Sequence, residues 1–217
     1  TTTWHYYIDP HEPHRHYIAY TDIGYAFSLD SGKTWHWWSD NDTRIKGRWS
    51  NTCYEIAFDP DIPGKMWGAF SGLHDIPNEN SIWRPRDDSK SVPGGIGLST
   101  TFGLDWTRSN KGLPDMATTS VILDPASPKG KRTLYAAVFT KGIYRSDDDG
   151  KTWQKKSTGL GHPYNMRVTR IKLTKDNTLY TLITGKRNNV RGPFQPEGVG
   201  LYRSQDRAET WEKVNTS

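Results

Sequence analysis

With one cysteine, Cys53, among its 217 residues, the chain can form no internal disulfide. Nor does it contain an apolar run near the roughly eighteen residues that a membrane-spanning helix needs. No secretory leader is visible, and the chain opens Thr-Thr-Thr-Trp without methionine, as a processed, trimmed or excerpted piece would. Charge of one sign is not concentrated anywhere. There are 29 basic and 24 acidic residues for a net charge of +5, with no basic run to track a phosphate backbone. Neither nucleic acid nor a membrane is therefore an expected partner. Apolar residues are sparse as well, at 33% with a mean hydropathy of −0.83. What stands in their place is aromatic: ten Trp, eleven Tyr and six Phe. Large rings with polar edges suit thin cores between stacked sheets.

The chain also repeats itself. Ser28-Leu-Asp30-Ser-Gly32-Lys-Thr34-Trp35 returns in full as Ser146-Asp-Asp148-Asp-Gly150-Lys-Thr152-Trp153. It returns in eroded form as Ser99-Thr-Thr-Phe-Gly103-Leu-Asp105-Trp106 and Ser204-Gln-Asp206-Arg-Ala208-Glu-Thr210-Trp211. Asp and Gly at the centre make a hairpin turn, because Asp can bond nearby amides and Gly accepts positive φ. The flanking Ser and Thr add local hydrogen bonds, and Trp packs into the sheet. The pattern S-x-D-x-G-x-T-W resembles the Asp-box (BNR) repeat of xyloglucanases, sialidases and sortilin-type receptors. That resemblance implies an all-β fold, a β-propeller of four-stranded antiparallel blades, here four of them. The boxes are expected to be folding staples without chemistry.

Blades are expected over about residues 4–38, 53–108, 118–156 and 167–214 of one propeller segment. A second repeat supports this register. Asp9-Pro10, Asp59-Pro60 and Asp124-Pro125 each follow an innermost strand, where a proline fixes φ at a turn. These turns and the boxes must share one face, the bottom. The boxes begin at 28, 99, 146 and 204, and the longer intervals place extra residues in loops on the opposite, top face. Insertions confined to one face of a repeat protein mark its binding side. Propellers with this box typically close with six to eight blades. Four whole blades imply either further blades or a homo-oligomer, for instance two copies that complete a ring of eight.

On the top face, Tyr17-Ile-Ala-Tyr20-Thr21-Asp22-Ile23-Gly24-Tyr25-Ala26-Phe27 resembles the Y-x-x-T-D-x-G-G-A-Y segment of glycoside hydrolase family 74, the xyloglucanases. In that family this aspartate is one of two catalytic carboxylates of an inverting mechanism, which would make Asp22 the general base. The family's second glycine is Tyr25 here, a bulky ring expected where substrate would approach. Read from the residues alone, Asp22 is equally a cap for the turn before Gly24. The family's acid sits in a second propeller. Among local carboxylates, Asp75 beside His74 is the first choice for the acid, with Glu55 and Glu197 as other top-face candidates; read from the residues alone, Pro77 and Asn78 equally make Asp75 the closing residue of a turn. Trp49, Asn51, Glu55, His74, Arg167 and Arg187 supply the rings and polar groups that sugar binding favours. Trp83, Phe139, Tyr164, Lys186 and Phe194 fall at or near the same face. Sialidases present three arginines to a substrate carboxylate, the first in an Arg-Ile-Pro-like segment before the first box; here only Arg15 precedes that box, in a bottom turn, so sialidase activity is not expected. His5, His11, His14 and His16 have no acidic or cysteine partner at metal-ligand spacing, so neither metal nor cofactor is expected. The reading is a glycoside hydrolase-like propeller that acts on or binds a polysaccharide, or a non-catalytic glycan- or protein-binding module. An extracellular or periplasmic location accompanies it.

Overall fold

A computed structural model describes residues 2–37, 49–73, 92–187 and 192–214. These residues form strands and turns only. The first sheet runs β1 (Thr3–Ile8), β2 (His16–Tyr20), β3 (Tyr25–Ser28) and β4 (His36–Trp37) in sequence order. The second holds β5 (Thr52–Phe58), β6 (Met66–Ser71), β7 (Gly94–Ser99) and β8 (Thr107–Arg108), and the third holds β9 (Thr118–Leu123), β10 (Leu134–Val138), β11 (Gly142–Ser146) and β12 (Gln154–Lys155). In the fourth, β13 (Val168–Leu173) and β14 (Leu179–Ile183) are followed by a small hairpin, β15 (Lys186–Arg187) with β16 (Phe194–Gln195). The sheet then resumes with β17 (Gly200–Ser204) and β18 (Glu212–Lys213). All pairings between these strands are antiparallel. Four meandering sheets stacked face to face are the blades of a propeller.

Buried side chains fill the seams, and in the first of them most are aromatic. Between blades one and two lie Tyr17, Tyr25, Phe27, Phe70 and Trp106, with Trp106 edge-on to both Tyr25 and Phe70. Burial of a side chain such as Phe70 contributes about 1.5–3 kcal/mol. Trp67, Val121 and Trp153 anchor the next seam, and Ile143, Ile171 and Trp211 the last. The aromatic core expected from composition fills the first seam, whereas aliphatic side chains predominate in the last.

Each repeat folds as a self-contained turn. In the first, Gly32 N and the Asp30 carboxylate use both ends of the Ser28 hydroxyl, while Thr34 donates its amide and hydroxyl to Asp30 at 2.8 and 2.7 Å. The third repeats this geometry around Asp148. In the eroded second repeat, Thr101 takes the aspartate's place and its hydroxyl accepts from Asp105 N at 2.9 Å. In the fourth, Ala208 stands in the left-handed region at φ 68°, where the others have glycine. The turns also bond the loops between first and second strands, through Ser31 N to His14 O, Phe102 N to Gly64 O and Asp149 N to Arg132 O. Both sets therefore lie on one face, as the alternation of strands requires.

The Thr34 amide and hydroxyl hold the Asp30 carboxyl down at about 2. Burial opposes ionisation of Asp148, yet bonds from Thr152 and Ser146 still leave its pKa lowered. A carboxylate depressed on folding stabilises fully above its unfolded pKa, about 4 for Asp, and loses that contribution as pH falls through the folded value. Melting temperature is expected to drop between about pH 4 and pH 2. Asp148→Asn should cost about 1–3 kcal/mol at pH 7 and flatten this acid slope. Identical acid slopes in the two proteins, followed by circular dichroism, would assign the transition elsewhere.

The innermost strands share a further device. Each carries a bulge at the same place, at Trp4, Tyr54, Thr119 and Thr169, between the register shifts seen in β1, β5, β9 and β13. A one-residue bulge reverses the alternation of side chains beyond it. It directs His5, Glu55, Ser120 and Arg170 toward one another at the axis, where Arg170 meets His5 and Ser120 donates to Glu55. The inner edge of each such strand would otherwise present unpaired amides. Instead, Ile56 N donates to Tyr7 Oη at 3.0 Å, Val121 N to Glu55 Oε2 at 3.2 Å and Ile171 N to Ser120 Oγ at 3.2 Å. In every case the preceding blade supplies the acceptor.

Candidate functional site on the top face

The turn between β2 and β3 presents Asp22. Asp22 has φ 75° and Gly24 φ 70°, so the chain passes twice through the left-handed region within three residues. Asp tolerates that region better than most residues with a Cβ. Tyr20 N donates to Gly24 O at 2.9 Å, closing the turn, and Thr21 is fully buried beneath it. Asp22 itself is exposed. The turn is fixed to the next blade as well. Gly24 N donates to Asn51 O at 2.9 Å and Cys53 N donates to Gly24 O at 3.2 Å. The Asp22 turn is thus joined through Gly24 to Asn51 and Cys53 at the junction of blades one and two.

Tyr25 does not obstruct this turn, contrary to expectation. It is fully buried, stacked between Tyr17 and Phe27, with its hydroxyl beside the bottom turn at Gly103. A Cβ added at Gly103 would lie 2.1 Å from that hydroxyl, so the glycine makes room for the ring. Tyr25 therefore points along the seam, away from Asp22.

Three residues expected to touch sugar are placed elsewhere. Trp49 is 1% exposed, its ring covered by the Arg108 guanidinium at 4.7 Å and its Nε1 donating to Asp115 Oδ1 at 3.4 Å. It cannot serve as a stacking surface. Glu55 is 5% exposed, because the bulge at Tyr54 turns it onto Ser120 and Val121 rather than up to the loops. Burial raises its pKa, opposed by the Ser120 hydroxyl and by Arg170 and Lys172, whose cationic groups lie 3.9 and 3.7 Å away. Arg167 is fully buried, with its guanidinium 5.9 Å from the Phe139 ring. Arg187 lies on β15 opposite Phe194. His74 and Asp75 lie outside the described residues, as do residues 38–48 and Trp83.

Two carboxylates complete the described part of this face. Asp115, in the crossover between blades two and three, is exposed and accepts from Trp49 Nε1 and, at 3.3 Å, from Gly94 N. Nothing in the sequence marks it, because Pro114-Asp115 looks like any polar turn. Glu197 is exposed beyond β16. Away from this face, a cavity of about 660 Å³ between blades three and four is lined by Ile122, Leu173, Lys172 and Lys175 and contains no carboxylate. The histidines are engaged individually: His11 with Asp59 O, His16 with Pro13 O and Tyr6, and His5 with Arg170.

No family model matches the chain. A xyloglucanase of Hypocrea jecorina (strain QM6a) is 25% identical over 206 residues, covering 88% of this chain and 22% of that protein. Among solved structures, the Niastella koreensis GH74 enzyme superposes with a TM-score of 0.62 at 20% identity, over 97% of this chain and 30% of the enzyme. An ancestral GH74 enzyme gives 0.68 at 16% identity, over 98% of this chain and 25% of its own. The fold is that of a GH74 propeller. The chain spans about a quarter of the length of these relatives. As a GH74-like propeller it is similar to enzymes that act on polysaccharide.

Proposed function

We propose that this propeller acts on a β-glucan of the xyloglucan class by inverting hydrolysis, with Asp22 as the general base. The observation that carries the reading is the Asp22 turn: an exposed carboxylate, held by its backbone to the next blade, with Tyr25 turned inward. A general base must be fixed relative to the water it activates, and a turn tied to Asn51 and Cys53 provides that fixity. Similarity to a xyloglucanase over most of the chain supports the substrate class. Inversion needs a second carboxyl group about 6.5–9.5 Å from the base, across the sugar ring. Asp75 is our first candidate for that acid. Asn51, whose carbonyl accepts from Gly24 of the same turn, would hold a sugar hydroxyl or the attacking water. A polymeric substrate places the protein outside the cytoplasm, in an extracellular or periplasmic setting.

The test is hydrolysis of xyloglucan, followed by reducing-end release and by proton NMR of the first anomer formed. Turnover by the wild type with an inverted anomer, lost in Asp22→Asn, is the expected result. Undiminished turnover in Asp22→Asn removes Asp22 from the mechanism. Glycan binding without turnover in the wild type would favour the second reading, a non-catalytic glycan-binding module.

A further inference from the structure

Among the described residues, one large ring is far more exposed than its peers. Tyr164, in the crossover between blades three and four, is 76% exposed. Apolar surface left in water is normal when scattered, but this ring stands on a rigid mount. Residues 162–165 form a turn in which His162 N donates to Asn165 O at 3.2 Å and Asn165 N to His162 O at 2.8 Å. Pro163 occupies the second position, where its fixed φ favours the turn. Asn165 is 3% exposed, and its Nδ2 donates to Thr184 O at 3.0 Å and Glu197 O at 2.9 Å, locking the turn to the blade-four loop. Packing is equally tight, since a Cβ added at Gly198 would lie 2.7 Å from His162 N.

The His162 ring lies 5.1 Å from that of Tyr164 at 48°, and its Nδ1 accepts from Tyr164 N at 3.3 Å. That bond leaves Nε2 to carry the proton of the neutral imidazole, as a donor. A flat exposed face beside a ring N–H donor matches a pyranose, which has an apolar face of C–H groups and a rim of hydroxyls. The turn that carries both rings is held by its own backbone bonds and by Asn165, so its backbone loses little entropy when a ligand binds.

We propose that Tyr164 and His162 form a pyranose-stacking platform, a distal sugar subsite across the top face from Asp22. The sugar class rests on the function proposed above, whereas the platform rests on the exposure and mounting of the ring. The test is affinity electrophoresis in gels containing xyloglucan or hydroxyethylcellulose, using Asp22→Asn as the parent to prevent cleavage. Tyr164→Ala should bind about three- to tenfold more weakly than the parent, with Tyr164→Phe close to the parent and all melting temperatures alike. His162→Ala should show a smaller loss. Equal retardation of Tyr164→Ala and its parent overturns the platform, as does absence of retardation of the parent by either polymer. Weakened binding in Tyr164→Ala alongside full turnover by Asp22→Asn would keep the platform and discard Asp22 as base. The converse result would keep Asp22 and discard the platform.

Discussion

Asp22→Ala is expected to slow xyloglucan hydrolysis by about 10²–10⁴-fold while the protein still binds the polymer. That range is what a positioned proton acceptor contributes, and no other described residue on the Asp22 turn can take over the role. Tyr20 and Ile23 carry no base, and Thr21 is buried under the turn. The choice of substitute matters because φ at this position is 75°. Alanine in the left-handed region costs about 1–2 kcal/mol, whereas asparagine tolerates it and glycine is at ease there. Asp22→Asn and Asp22→Gly therefore separate lost chemistry from a distorted turn. All three should be slow, but only alanine should lower the melting temperature, by a few degrees at about 2–4 °C per kcal/mol for a chain of this size. Azide fits the space vacated in the alanine and glycine variants and should restore turnover, giving a glycosyl azide of inverted configuration. A rescued product of retained configuration would instead make Asp22 the acid/base of a retaining, double-displacement mechanism.

Arg132→Ala is expected to lose about 3–5 kcal/mol of stability, or roughly 6–20 °C of melting temperature. Arg132 and Asp59 are almost completely enclosed at the bottom of the seam between blades two and three. The guanidinium donates to both oxygens of Asp59, at 3.2 and 2.7 Å, and also meets Asp61 and Ser127 O. Deleting the cation strands a buried carboxylate, which is the costly half of breaking such a pair. Asp59 would still have Lys65 Nζ at 3.9 Å and the Asp61 amide at 3.0 Å, which is why the loss stays within this range. Arg132→Lys keeps the charge but cannot bridge Asp59 and Ser127 together, so it should fall between the two. Thermal melts of the three proteins decide the matter. A change below about 1 kcal/mol in Arg132→Ala would show that the pair repays no more than its desolvation.

The architecture was legible because its signals are local. Every hydrogen bond that defines the repeat falls within five residues, so the phrase in the sequence is also the unit of structure. The Asp-Pro turns were legible for the same reason. Side-chain direction at the site was not. Glu55 follows a bulge that nothing in Thr52-Cys53-Tyr54-Glu55 announces, and one extra residue carries the carboxylate from the loops to the axis. Trp49 and Arg167 flank innermost strands and looked available. Their burial depends on Arg108 and Phe139, partners 59 and 28 residues away that only the folded blades bring near. Tyr25 failed in the other direction: its ring has a place between the blades because Gly103 leaves one.

The acceptors that each blade extends to the next at the axis have a consequence for hydrogen exchange. The amides of Ile56, Val121 and Ile171 belong to three different sheets, yet each is sealed by a side chain from a neighbour. None can be opened by fraying its own blade alone. In deuterium oxide these three protons should be among the last to exchange and should do so at a common rate, set by the parting of whole blades.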